Sequence, residues 1–501
     1  MIEKQSVLFA ALNNLIVRFG QHLISLFKHI IIAGYIGLSS QLDIFYMALA
    51  IYGVLITSWA VVFDVLAIPK LVKYQTNKKY ENFNLLSSSI LLFTFVISIF
   101  FSSLFYFFGN IISLSAFGFS SEKKVILEES FKWLFPAILF YLPYFSLCSI
   151  LKSLRQFSLV NTIEFCSTLI LVVILFFFIE KEFTLYWSYS LSVTFSFLLA
   201  FLFVRRSVNL KFYNPFNSLI KKLLPSIPPL LFIHSCFYLF SLTDRFFVTF
   251  LDNGDISALT YATVFVVAVP QIIGASSFFL TAYSEESNIA LKSSKFTQAA
   301  SYIIFISVPI IIFFLTASEN FISIILERGA FKENDTLRVI NIIYILSFII
   351  IPFSFQTIID QIYQVEKKFS FIVKIKLFGF LINICLNYIF IFMLKLGVIG
   401  AALGTTISYS IVMILSFYNL KYLKISVRFM KHLTWLLWLL IFNLPTLLLI
   451  NLIKDNINNY LVIFVTIIII IFSTLAAVLT FFGPEKKLVL EIFSRIKKFK
   501  L

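Results

Sequence analysis

The sequence predicts an all-α polytopic membrane protein with about fourteen transmembrane helices. Hydrophobic residues make up 60% of the 501 residues and charged residues only 13%, about half the charged share of a soluble chain. Apolar runs of roughly 20 residues, each long enough to cross a bilayer as a helix, recur along the chain. The net charge of +16 lies mainly in short segments between these runs. That placement indicates membrane topology and argues against nucleic acid as a partner.

The predicted spans follow one another through short connections, apart from a basic linker at 205–226. This linker contains Arg205, Arg206, Lys211, Lys221 and Lys222, and its segment 216–224 is expected to lie along the membrane surface as an amphipathic helix. If the N-terminus is cytoplasmic, the inner segments hold most of the lysines and arginines, so both termini are predicted to be cytoplasmic. The spans cover about 7–36, 43–69, 84–108, 131–151, 157–179, 184–204, 227–251, 257–280, 297–317, 337–359, 371–394, 398–419, 433–453 and 459–482.

An internal repeat groups the first twelve spans into two halves. The segment 28–45 aligns without a gap with 244–261, and 155–158 aligns with 367–370. The sequence therefore predicts two six-helix bundles related by a parallel pseudo-two-fold repeat, plus two extra C-terminal helices. The predicted domains are an N-terminal lobe at 1–204, the cytoplasmic linker at 205–226, a C-terminal lobe at 227–425, and the extra helices with a basic cytoplasmic tail at 426–501.

Ionisable residues inside the predicted spans are the candidate binding residues, because a cation at membrane depth costs about 2.5 kcal/mol or more unless it meets a partner or water. Arg18 and Lys28 lie in span one, Asp43 opens span two, and Asp244 and Arg245 lie in span seven. One interpretation is a cationic cavity between the halves that binds phosphate or pyrophosphate. The alternative is that the aspartates neutralise the cations as internal ion pairs.

The remaining polar residues give no sign of an enzyme. No phosphate-binding glycine loop, HExxH motif or CxxC pair is present, and the four cysteines lack the spacing of metal ligands. We therefore predict a non-enzyme without cofactor or metal. Lys374, Lys376 and Asp64 are expected to reach the cytoplasmic surface with their charged groups.

Four segments resemble, in the same order, the MurJ-type lipid II flippases. They are the run from Arg18 through Lys28 and Gly37 to Asp43, the segment from Asp244 to Pro270, the segment from Glu327 to Thr336, and the glycine-rich turn from Gly397 to Thr405. The resemblance covers about 5–425 and extends to the wider superfamily of oligosaccharide-lipid exporters and multidrug antiporters. Two departures are visible, since 55–59 lacks the family's arginine in helix two and 263–268 lacks the charged cluster that some members carry in helix eight.

The resemblance implies a flippase of the bacterial inner membrane that moves a polyprenyl-pyrophosphate saccharide outward by alternating access. The carried molecule would be lipid II or an O-antigen, capsule or exopolysaccharide repeat unit, and a polysaccharide polymerase or the cell-wall synthesis machinery would be a partner. The alternative is a multidrug cation antiporter of the same superfamily. The basic first span disfavours that alternative, because cationic drugs favour an acidic or aromatic cavity.

Overall fold

The computed structural model describes residues 7–273, 283, 288–366, 368–423, 425, 429–454 and 457–480. Within these ranges the side chains of 7–19, 22, 271–273 and 429–431 lie outside the description. The basic tail predicted after span fourteen also lies outside the described residues. The described chain is helical and contains no strand.

Twelve described helices are long and apolar enough to cross a membrane, and two shorter apolar helices, Leu23–Ile36 and Asp255–Pro270, correspond to predicted spans one and eight. Together, the twelve long helices and the two shorter ones confirm the predicted fold class of about fourteen membrane helices. The chain divides into two compact units, the first comprising residues up to Ser257 together with Arg328–Phe331 and the second comprising Ala258–Glu327 and the residues from Lys332 onward. The predicted lobe boundaries stay a prediction.

The first unit is built from ten helices. A π-helical turn at Gly53–Thr57 joins the second helix to the third without a break in the span. The helices are α1 (Val7–Ile36), α2 (Ser40–Tyr52), α3 (Ser58–Thr76), α4 (Tyr80–Phe107), α5 (Gly109–Ser113), α6 (Ser121–Ser153), α7 (Phe157–Phe178), α8 (Thr184–Ser207), α9 (Ser218–Lys221) and α10 (Ile227–Val248).

Helix α6 is the centre of the first unit and packs against α2, α3, α4 and α8. Serine is frequent at these contacts, and small side chains let membrane helices approach closely. Ser146 on α6 accepts a hydrogen bond from Thr94 on α4 at 3.3 Å, and Ser190 on α8 donates to the carbonyl of Trp133 at 2.7 Å. These bonds satisfy hydroxyl groups that would otherwise be stranded in apolar surroundings.

Among its described residues, the second unit contains most of α11 and seven further helices. Its most extensive packing joins α15 to α16 and places α12 against the last two helices. The helices are α11 (Asp255–Ile273), α12 (Ile289–Leu326), α13 (Glu333–Leu346), α14 (Ile350–Val365), α15 (Phe369–Tyr388), α16 (Val398–Asn419), α17 (Phe429–Ile453) and α18 (Asn459–Thr480).

A backbone contact fastens the segment Arg328–Phe331 to the end of α1 inside the first unit. The backbone N–H of Ala330 donates to the carbonyl of Gly34 at 2.7 Å. Gly329 has a φ of +60°, and a Cβ there would lie 2.1 Å from the Gly34 carbonyl oxygen. Gly37 has a φ of +64°, and its Cβ would lie 2.8 Å from the Ala330 carbonyl oxygen. Only glycine fits either position, because both the dihedral angle and the space exclude a side chain.

Replacing Gly329 with alanine is expected to destabilise the first unit by ~2 kcal/mol or more, through left-handed strain and a collision with backbone. The measurement is the melting temperature of the purified protein in detergent. The comparison variant is Gly397→Ala, because Gly397 has a φ of +59° with a ψ of −145° and nothing within 4 Å of its would-be Cβ, so its loss of stability reports backbone strain alone. A melting temperature of Gly329→Ala equal to that of the wild type would contradict the prediction.

Candidate functional site

Lys28 is a half-buried cation in the second half of α1. On one side of the helix Leu23 and Phe27 are exposed, and on another side His29 is buried. Lys28 lies at the edge between these two faces, as the helical repeat of 100° per residue requires. Among the residues that the structure describes, Lys28 has no carboxylate partner. The anion-binding role predicted for Lys28 stays a prediction.

Arg18, the other cation predicted in span one, is described only as backbone. Arg18 lies within the helix, but its side chain is outside the described residues, as is that of His22. Helix α1 packs along α7, where a Cβ on Gly20 would meet the Phe165 ring at 3.2 Å. The role predicted for Arg18 stays a prediction.

Asp43 is almost completely buried, with 2% of its surface exposed, near the start of α2. Its Oδ2 accepts a hydrogen bond from the backbone N–H of Gly254 at 2.6 Å. Its Oδ1 accepts from the backbone N–H of Ser257 at 2.8 Å and from the Ser257 hydroxyl at 2.6 Å. We call this set of bonds the Asp43 latch, because it ties α2 to the turn between α10 and α11 and to the first turn of α11. The carboxylate is thus occupied by the protein's own donors.

Asp244 and Arg245 lie in the last turn of α10, which packs against α2. Asp244 is buried, and the Arg245 guanidinium group donates to the hydroxyl of Ser241 and to the Ser241 carbonyl oxygen, the latter at 3.2 Å. Asp244 and Tyr46 both lie close enough to act electrostatically on the Arg245 charge. The structure therefore places Asp244 and Arg245 at the contact of α10 with α2, where Tyr46 lies one helical turn beyond Asp43. Substrate binding by these residues stays a prediction.

A second contact holds the same turn in place. The backbone N–H of Gly118 donates to the Thr249 hydroxyl at 3.1 Å, and a Cβ on Gly118 would lie 2.5 Å from the Phe250 nitrogen. The rings of Phe117 and Phe246 meet edge to face at 5.4 Å between centroids. The residues after α10 are thus fixed both to α2 and to the loop between α5 and α6.

Sequence reasoning missed a polar and aromatic cluster inside the first unit. Tyr52, at the π-helical turn, meets the rings of Tyr141 and Tyr189 edge to face at 5.5 and 5.8 Å. Glu164 on α7 lies close enough to Tyr141 to act on it electrostatically. The signal for Glu164 was available, because it is an acid within an apolar span, the same rule that indicated Arg18 and Lys28.

Two ion pairs within the protein lie near the predicted cytoplasmic ends of the spans. Lys152 donates to Asp64 at 2.5 Å within the first unit. Lys376 is bound to Asp360 within the second unit, with Gln356 donating to the same carboxylate at 2.6 Å. The expectation that Lys376 reaches the surface is therefore wrong, since Lys376 is buried at 8% exposure. A carboxylate on the neighbouring helix satisfies the ammonium group inside the protein.

Comparison with known proteins identifies the family. The family model described as "Lipid II flippase MurJ" matches residues 32–479. The chain is 26% identical over 403 residues to a probable lipid II flippase MurJ of Buchnera aphidicola subsp. Baizongia pistaciae (strain Bp), which covers 77% of this chain and 78% of that protein. A second such protein, from Buchnera aphidicola subsp. Acyrthosiphon pisum (strain APS), is 26% identical over 397 residues, or 76% of this chain and 77% of that protein.

Solved structures agree on the fold. The chain superposes on a structure described as lipid II flippase MurJ in an inward closed conformation, with a TM-score of 0.79 and 22% identity over 94% of this chain and 98% of that chain. A multidrug resistance MATE family transporter of the MOP superfamily shares the fold more distantly, with a TM-score of 0.64 and 15% identity over 81% of this chain and 96% of that chain. With the family model matching most of its length, the chain belongs to the MurJ family of lipid II flippases.

Proposed function

We propose that this protein moves lipid II from the inner to the outer leaflet of the bacterial cytoplasmic membrane. The observation that carries the proposal, beside membership of the family, is Lys28, a half-buried cation in a membrane helix with no carboxylate partner among the described residues. An ammonium group in apolar surroundings is costly, and the pyrophosphate of a lipid-linked saccharide would neutralise it. Arg18, on the same helix, is proposed to act with Lys28.

The orientation proposed for the chain places both termini in the cytoplasm. The exposed cations Arg205, Arg206, Lys221 and Lys222 then lie on the inner side, as the positive-inside rule requires. The turn after α10, which contains Asp252 and Gly254, then lies on the outer side. In this orientation the membrane potential, negative inside, favours outward movement of an anionic group by about 2.3 kcal/mol per charge per 100 mV.

Alternating access is supported by the Asp43 latch. In the proposed orientation the latch ties the outer end of α2 to the turn between α10 and α11 and to the start of α11, and we propose that these bonds hold the outer side closed. Release of the saccharide outward would then need the Gly254 and Ser257 bonds to break and form again in each cycle. Hydrogen bonds suit this task better than apolar packing, because water can replace each partner as the outer side opens.

A second candidate substrate is a polyprenyl-pyrophosphate saccharide other than lipid II. The observation that favours it is the absence of charge in 55–59 and 263–268, where the resemblance to the family leads one to expect arginine or charged clusters. Such a molecule would keep the pyrophosphate that Lys28 is proposed to bind and would differ in its sugars. A polymerase that consumes the flipped saccharide is the expected partner in either case.

Mass spectrometry of polyprenyl-linked saccharides in cells depleted of this protein tests the proposal. Accumulation of lipid II, reversed by the wild-type gene, is the expected result. Accumulation of a different lipid-linked glycan would select the second candidate. Unchanged lipid-linked glycans together with altered sensitivity to cationic compounds would contradict both candidates and favour the multidrug antiporter that shares the fold.

A further inference from the structure

The linker between α8 and α10 is held firmly against the first unit. The backbone N–H of Lys211 donates to the Ser88 hydroxyl at 3.1 Å, and the Asn217 amide donates to the Ser89 hydroxyl at 2.5 Å. The Phe216 ring meets Phe93 of α4 edge to face at 5.5 Å. The linker is therefore an ordered surface against the first half of α4, and the side chains it exposes have a defined position.

One of those side chains is apolar and almost fully exposed. Phe212 has 92% of its surface exposed, the largest value among the described large hydrophobic residues. Its neighbour Lys211 is also exposed. An exposed aromatic ring beside a cation, next to the end of a membrane helix, is typical of a segment that enters the headgroup layer.

Six cations belong to the same region. They come from the second half of α3, the end of α8, the linker, and α9 with its C-cap, and no ion pair involves them among the residues described here. Lys70 and Lys222 lie close enough to repel each other, although they are far apart in sequence. We define the linker surface as Phe212 with Lys70, Arg205, Arg206, Lys211, Lys221 and Lys222.

We propose that the linker surface binds the phosphate group of an anionic phospholipid from the leaflet it faces, with Lys70 and Lys222 holding the phosphate and Phe212 entering the headgroup layer. Two like charges brought together by the fold leave a site that an anion stabilises. Clusters of four or more cations directly beside a membrane helix attract anionic lipids, each contributing about 1 kcal/mol. The site is separate from Lys28 and does not depend on which saccharide the protein carries.

Native mass spectrometry of the full chain released from nanodiscs tests this proposal. The nanodiscs contain phosphatidylglycerol and phosphatidylcholine, and the retained copies of each lipid are counted. The wild type is expected to retain phosphatidylglycerol selectively. The double variant Lys70→Gln/Lys222→Gln is expected to retain about 25-fold less, since ~1 kcal/mol per lysine corresponds to about fivefold in affinity and two lysines are removed. Phe212→Ser is expected to lower retention to a smaller extent.

The matched control is Lys181→Gln/Lys332→Gln, which removes the same charge from two exposed lysines in other turns. Equal retention by the wild type and Lys70→Gln/Lys222→Gln would overturn the proposal, as would an equal loss in the control variant. Displacement of the lipid by excess inorganic pyrophosphate would show a site for soluble phosphates instead. Co-purification of an acidic protein with the wild type but not with Lys70→Gln/Lys222→Gln would also overturn the proposal, because the ligand of the linker surface would then be that protein. Melting temperatures confirm that each variant is folded.

Discussion

Replacing Lys28 with alanine is expected to weaken binding of the lipid-linked pyrophosphate about a hundredfold while leaving the melting temperature unchanged or higher. A charge at membrane depth costs roughly 2.5 to 3.5 kcal/mol, and an anionic ligand that neutralises it recovers an energy of this order. Each 1.4 kcal/mol or so is a tenfold change in affinity. Since Lys28 has no carboxylate partner in the described part of the chain, its removal breaks no ion pair among the described residues.

Two further variants make the Lys28 experiment decisive. Lys28→Arg keeps the charge and is expected to keep most of the affinity, whereas Lys28→Met keeps the length without the charge and is expected to resemble alanine. Lys181→Ala removes an exposed lysine elsewhere and is expected to leave binding unchanged. The measurements are ligand affinity for the purified protein and melting temperature without ligand. A lower melting temperature with unchanged affinity in Lys28→Ala would assign Lys28 a structural role.

Hydropathy was enough to predict the membrane helices, because the bilayer imposes a minimum apolar length that a sequence displays directly. The same rule found Lys28, since a charge inside an apolar run is visible without any structure. The rule could not tell which charges have partners. Lys376 and Lys28 look alike in sequence, yet Lys376 is bound to Asp360 on the neighbouring helix and Lys28 has no such carboxylate in the described chain. That difference depends on which helices pack together.

Asp43 shows a second limit of sequence reasoning. An acid near basic spans suggests a partner among lysines and arginines, so the sequence offered substrate binding or an ion pair. The actual donors to its carboxylate are the backbone N–H of Gly254, in the turn after α10, and the backbone N–H and hydroxyl of Ser257, in the first turn of α11. Every residue except proline carries a backbone donor, so no residue type in the sequence marks these partners. Gly34 and Gly329 are comparable, because their contact joins two backbones.

Replacing Asp43 with alanine is expected to give the largest loss of stability among the variants considered, because it removes the acceptor of three hydrogen bonds at once. A buried donor left without a partner costs about 1 to 3 kcal/mol. Asp43→Asn keeps one acceptor oxygen and turns the other position into a donor, so an intermediate loss is expected. Ser257→Ala removes a single donor and leaves both backbone bonds, so the smallest loss is expected. Melting temperatures of the purified variants measure this order.

The order of the three variants separates the latch from substrate binding by Asp43. A latch that closes the outer side predicts that stability falls in the order Ser257→Ala, Asp43→Asn, Asp43→Ala, and that cysteines introduced beside Gly254 become more reactive to a membrane-impermeant thiol reagent in the same order. Binding of the lipid-linked saccharide should change much less than in Lys28→Ala. The contrary result is that Asp43→Asn lowers the affinity for the lipid-linked saccharide as strongly as Lys28→Ala and leaves the melting temperature unchanged. In that case Asp43 would be a substrate ligand, and its hydrogen bonds to Gly254 and Ser257 would not hold the outer side closed. Water can satisfy the Gly254 and Ser257 donors once the turn has moved away from α2. Asp43→Ala should therefore destabilise the closed form more than the open form. The thiol reaction measures this shift of the equilibrium toward the open form directly.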